Sequence, residues 1–202
     1  MKKRSQSIEK TTETRRKIIV SALAEFKTLG FAKSKIASIA ANAGLGKGTI
    51  YSYFATKENL FEGVVDFLIQ ETYHPIQSDE LPDNETVQDF ILDQMLSGID
   101  NLEEAGRADI ARLMLSEGKA FNDILELYRQ KIYEPGLVEL TKLIEIAKSR
   151  GEIATEANSS MLASLIIAPI WMGMIHNGTL MPDQNLDIRE MFCTNVKHIF
   201  KY

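Results

Sequence analysis

The stretch Gly46-Lys47-Gly48-Thr49-Ile50-Tyr51-Ser52-Tyr53-Phe54 gathers one ammonium and four hydroxyls into nine residues. Lys47 can donate to guanine O6 or N7, or to a phosphate oxygen. The hydroxyls of Thr49, Tyr51 and Tyr53 can bond phosphate oxygens, and an aromatic ring can touch a thymine methyl. Gly48 lets the backbone come close to a partner. Ile50 and Phe54 are four apart and share one helical face, which leaves Lys47, Gly48, Tyr51 and Ser52 on the outer arc. This is chemistry for reading a duplex.

Those residues need a frame, and the preceding residues supply one. Ser34 stands where it can N-cap a helix that buries Ile36, Ile39 and Ala40, and Gly44 makes a turn. An apolar helix, a glycine turn and a short second helix form a helix-turn-helix over about residues 35–54, whose second helix suits a major groove. A first helix over residues 12–29 presents Ile18, Ile19, Ala22, Leu23 and Phe26 on one stripe and ends at Gly30. Thr56 can cap a fourth helix that runs towards His74, with Glu58 in its first turn. The first N–H groups near Ser34 and Lys57 are natural phosphate seats, and Lys57 adds a charge to the second. The polar residues 1–11 are expected to fray.

Charge divides the chain in the same place. Residues 1–60 hold twelve Lys and Arg against four acids, a net +8, and the remainder carries −13. A basic module joined to an acidic one implies that the first alone meets a polyanion. One cysteine, Cys193, excludes an internal disulfide framework and fits a reducing, cytoplasmic setting. The basic start Met1-Lys2-Lys3-Arg4 is followed by no apolar run, so no signal peptide is expected.

Past the loop of residues 74–84, helical periodicity continues and no alternating strand pattern appears. Helices are expected at about 85–104, 108–117, 122–149 with a break at Pro135-Gly136, 158–176 with Pro169 inside, and 187–200. The chain reads as all-α with about nine helices. Residues 157–182 carry no Asp, Glu, Lys or Arg, but Ser164, Pro169 and Gly173 interrupt them, so a core or subunit-interface helix is expected and not a membrane span.

No enzyme signature is present. His74, His176 and His198 are scattered without metal-ligand spacing, no nucleophile elbow or phosphate loop occurs, and Cys193 reads as packing. No cofactor and no metal are expected.

Gly30-Phe31, Ser34, Ile39-Ala40, Ala43-Gly44-Leu45, Lys47-Gly48-Thr49-Ile50-Tyr51, Tyr53-Phe54, Lys57 and Leu60 together resemble the amino-terminal domain of the TetR family of bacterial transcriptional regulators, over residues 12–72. The resemblance implies that Lys47, Gly48, Tyr51 and Tyr53 contact DNA, with Thr49 supporting phosphate contacts. It also implies that Ile36 approaches DNA from the second helix and that Lys57 holds a phosphate. Two positions depart from the family's habit. Gly46 replaces a Ser or Thr cap, losing one hydroxyl, and Lys35 replaces a small hydroxylated residue and adds a charge.

By the same resemblance, residues 75–202 form a helical effector-binding and dimerisation domain. The helices at 158–176 and 187–200 would make a homodimer that reads a palindromic DNA operator. Phe67, Phe90, Met95, Met114, Phe121, Tyr128, Trp171, Met172 and Met174 are candidate linings for a hydrophobic or amphipathic effector, with plain core packing as the competing reading. Glu117 would either pair with a cationic ligand or lie solvated at a helix end. The expected protein is a cytoplasmic, ligand-responsive repressor, nucleoid-associated when bound. The alternatives are a small-molecule-binding helical protein and a helical adaptor, both without DNA function.

Overall fold

The computed structural model describes residues 2–72, 75–154 and 156–201, with side chains from Lys10 onward. Among these residues every regular element is helical: α1 (Lys2–Lys33), α2 (Ile36–Asn42), α3 (Lys47–Tyr53), α4 (Lys57–Thr72), α5 (Val87–Asp100), α6 (Arg107–Glu117), α7 (Asn122–Tyr128), α8 (Glu134–Ser149), α9 (Ser159–Ile175) and α10 (Ile188–Ile199). The all-α class expected from periodicity is the class observed. Residues 2–11, expected to fray, belong to α1. His74, towards which α4 was expected to run, lies outside the described residues.

The chain separates into two compact units. The first takes the residues through Glu71 and also Asp109–Tyr128, so most of α6 and all of α7 pack with the helix-turn-helix although they lie within the 75–202 segment. Ile18, Ile19, Ala22 and Phe26 of α1 are buried as their spacing predicts. Gly30 takes φ +75°, a left-handed value that ends the straight part of α1 and turns Phe31 inward. Phe31 then meets three rings, Phe26 at 5.7 Å, Phe61 of α4 at 5.6 Å and Phe121 at 5.0 Å. Aromatic pairs at such separations add about 0.5–1.5 kcal/mol each beyond area burial.

The second unit is built from α5, α8, α9 and α10, with α9 packed on both α8 and α10. The Thr86 hydroxyl caps α5 by accepting the Asp89 N–H at 3.1 Å. Gly151, at φ +74°, ends α8: its own N–H reaches the Lys148 carbonyl and the Glu152 N–H reaches Ala147. The break expected at Pro135-Gly136 falls just upstream, where Arg129–Tyr133 form a π turn. Pro135 sits in the first turn of α8, where its missing N–H is not needed.

Asn158 caps α9, its Oδ1 accepting from the N–H groups of Ser160 (2.9 Å) and Met161 (3.2 Å). Pro169 deprives the Leu165 carbonyl of its helical donor, and Asn195 of α10 supplies the replacement. Gly173 is where α10 comes closest: any side chain there would collide with Ile188. The stretch Ser159–Leu180 is long and apolar enough to cross a membrane by length and composition, but it includes the Pro169 interruption and ends in a π turn, His176–Leu180.

Candidate nucleic-acid interface

α3 is a seven-residue helix, and a helix that short is stable only when packed. Ile50 is fully buried and Phe54 is 5% exposed, so the inward face is the expected one. Phe54 fits because α4 presents Gly63 to its ring; a Cβ there would lie 2.6 Å from Cε1. The guanidinium of Arg15 covers the same ring at 5.2 Å. Neither Gly63 nor Arg15 stood out in the sequence, since nothing in spacing links them to residue 54.

The opposite face is open. Lys47, Gly48, Tyr51 and Ser52 are exposed and Thr49 and Tyr53 half-buried. The Lys47 ammonium lies 5.7 Å from the Tyr51 ring centre, one helical turn away. The Ser52 hydroxyl donates to the Thr49 carbonyl at 2.7 Å and keeps its lone pairs outward. A side chain at Gly48 would meet nothing within 4 Å, so the protein's own packing does not require glycine there. Gly46 is the N-cap of α3, in extended conformation with no side-chain bond, as expected for a glycine cap.

Three residues of the expected site are buried or bonded within the protein itself, and one of them, Ser34, departs from its expected role. Ser34 does not cap α2. It is 5% exposed and its hydroxyl donates back to the Gly30 carbonyl, so the cap position falls to Lys35, which has no capping side-chain bond. Ile36 is 9% exposed and belongs to the core of α2. Lys57 donates to the Phe31 carbonyl at 2.7 Å and the Ser34 carbonyl at 3.3 Å, with its ammonium 4.4 Å from the Phe31 ring centre. At most one of its three donors is left for a phosphate. Lys35 itself is exposed, its backbone N–H held by Glu25 Oε1 at 3.3 Å.

Glu117, half-buried at the end of α6, has a partner within the protein. Its Oε2 accepts the Ala32 N–H at 2.7 Å. Among the described residues no three His, Cys, Asp or Glu side chains are grouped to hold a metal.

The candidate effector linings divide between the units. Phe67, Met114, Phe121 and Tyr128 lie in the first, and Phe90, Met95, Trp171, Met172 and Met174 in the second. Met114, Tyr128, Phe90 and Met174 are buried; Trp171 meets Tyr133 at 6.2 Å. Met172 is 45% exposed and stands on the outer face of α9, not among the inward residues.

Residues 18–64 match the pattern of bacterial regulatory proteins of the tetR family, and residues 81–188 match the tetracyclin repressor-like C-terminal domain. The transcriptional regulator TtgR of Pseudomonas putida is 26% identical over 180 residues, covering 87% of this chain and 84% of its own. The regulator YvdT of Bacillus subtilis is 29% identical over 153 residues, 75% of each chain. The SmeT–triclosan complex has the same fold, with a TM-score of 0.77 at 19% identity over 94% of this chain and 90% of that one. SmeT is the repressor of the Stenotrophomonas maltophilia multidrug efflux pump SmeDEF. With one pattern over its helix-turn-helix and a second over more than half its length, this chain belongs to the TetR family: it is a transcriptional regulator with a DNA-binding domain.

Proposed function

We propose that this regulator is a homodimeric, ligand-responsive repressor that reads a palindromic operator with a pair of α3 helices. The carrying observation is the two-sided α3. Ile50 and Phe54 lock one face, and the other presents Lys47, Gly48, Tyr51 and Ser52 to solvent with no protein contact that would explain Gly48.

Dimerisation is supported by α9. Met161, Leu165 and Met172 are 52%, 46% and 45% exposed, and with the exposed Ala168 they form one stripe at helical spacing. An apolar stripe left open on a single chain is what a two-fold partner covers. On α10, Ile188, Phe192 and Val196 face inward, leaving Met191 and Ile199 half-buried as its contribution to the interface. An effector of hydrophobic or amphipathic character, bound among the apolar and methionine-rich helices, would change the spacing of the two α3 helices. Half-site fit would then be lost. This reading places the protein in the cytoplasm, on the nucleoid when bound.

The test is selection of a duplex from a random-sequence pool, followed by affinity measurements with Lys47→Ala and Tyr51→Ala. Binding weakened in both, with the dimer intact by light scattering, is the expected result. Unchanged affinity in both variants removes α3 as the reading element. A wild type that selects no duplex favours a small-molecule-binding or adaptor role.

A further inference from the structure

The junction between α1 and α2 carries polar backbone groups that neither helix satisfies. Gly30, at φ +75°, kinks α1 just before its end at Lys33. Four backbone groups of the junction are met by side chains from elsewhere. Lys57 of α4 takes the Phe31 and Ser34 carbonyls, and Glu25 takes the Lys35 N–H. The Ala32 N–H is met by Glu117 Oε2 at 2.7 Å, from a residue 85 positions further along the chain and at the last turn of α6.

Independent contacts fix that carboxylate in place. A side chain at position 30 would collide with the Glu117 carboxylate, so the glycine both permits the left-handed turn and vacates the space the carboxylate fills. Lys27 of α1 pairs with Asp109 of α6 at 3.0 Å. Within the junction, Phe31 packs on Phe121 at 5.0 Å. The end of α1 is therefore tied to α6 through Asp109 and Glu117, and to the segment after α6 through Phe121.

We propose that Glu117 is a positioning residue for DNA reading: it fixes the α1–α2 junction and so the angle at which α3 meets the duplex. This rests on the DNA-binding reading above. The route is short. α2 starts four residues after Ala32, and α2 packs directly on α3. Hydrogen bonds to phosphates weaken steeply with misalignment, so a small rotation of this pair costs several contacts together.

The experiment measures binding of the full-length protein to the duplex that the wild type selects from a random pool, at several salt concentrations, with amide hydrogen exchange read at Ala32. Glu117→Ala is expected to weaken binding about tenfold with a shallower salt slope and the dimer unchanged, and to accelerate Ala32 exchange. Glu117→Gln keeps an acceptor oxygen and the side-chain size, and is expected to stay within about threefold of wild type. Equal affinity for wild type and Glu117→Ala overturns the positioning role while leaving DNA reading intact. So does an equal loss in the Gln and Ala variants. A wild type that selects no duplex overturns the DNA reading itself, and then Ala32 exchange shows only whether the tie exists.

Discussion

Asn195 Nδ2 donates to the Leu165 carbonyl at 2.7 Å, the acceptor that Pro169 leaves without a helical partner. The proline on α9 and the asparagine on α10 are thus two halves of one device. Asn195→Leu is expected to destabilise the protein by about 1 kcal/mol, the usual net worth of such a bond. In a Pro169→Ala background the backbone N–H returns, and the same Asn195→Leu change should cost little. Urea denaturation of the two singles and the double measures the coupling; strictly additive effects would separate the two residues.

Lys47 and Lys57 should behave differently although both are cations of the same module. Lys47 is free to reach a phosphate or base, so Lys47→Ala is expected to weaken binding and, if a phosphate is its partner, to reduce the salt slope by about one. Lys57 is engaged with two carbonyls. Lys57→Met is expected to lower stability by about 2 kcal/mol and Tm by about 4–8 °C. The salt slope should stay at the wild-type value. A slope reduced by Lys57→Met would return the residue to the phosphate contacts.

Leu165 and Met172 are open on the single chain, so a charge at either place should spare the protomer's fold. Leu165→Glu is expected to shift the dimer towards monomer in light scattering and to weaken operator binding with it. Helical content by circular dichroism should be retained. A dimer that survives both Leu165→Glu and Met172→Glu would place the interface elsewhere.

Glu139 ties the turn at Ser78 to α8. Its carboxylate accepts from Lys142 at 2.6 Å, and from the Ser78 hydroxyl at 2.6 Å and N–H at 2.8 Å. The bond to Lys142, then those to Ser78, hold its pKa down to about 2 from an ordinary 4.5. A carboxylate whose folded pKa is depressed adds stability above its unfolded pKa and loses it as pH falls through the folded one. The stability gap between wild type and Glu139→Gln should therefore be full at pH 6 and shrink between about pH 4.5 and 2. A gap constant down to pH 2.5 in urea midpoints would refute the assignment.

Gly46 is the N-cap of α3 and lacks a side chain. A Cβ there would sit 3.9 Å from Thr49 Oγ1, an ordinary contact. Gly46→Ser is expected to stabilise the protein by a few tenths of a kcal/mol by thermal melt. It should also change the preferred duplex, because it adds a hydroxyl beside Lys47.

The two-sided character of α3 was legible in the sequence because helical periodicity is local. Ile50 and Phe54 go in, and Lys47 and Tyr51 stay out, whatever lies further along the chain. Ser34 was misread for an equally local reason. The left-handed Gly30 brings its carbonyl within reach of the Ser34 hydroxyl, and that acceptor wins over the α2 cap. The partners of Lys57 and Glu117 were not legible because they lie 26 and 85 residues away. A charged residue at a helix end looks solvated until tertiary packing supplies what it faces.

The chain order of the first unit also has a consequence in time. Phe121, which covers Phe31, and Glu117, which holds Ala32, are synthesised long after the last residue of α3. At roughly 5–20 residues per second, their synthesis follows that of α4 by several seconds. During that interval Phe31 has only the Phe26 and Phe61 rings against it, and the Ala32 N–H lacks its carboxylate. Translation itself thus imposes a period in which the newborn regulator has the whole of α3 but not yet the carboxylate and the ring that meet the end of α1.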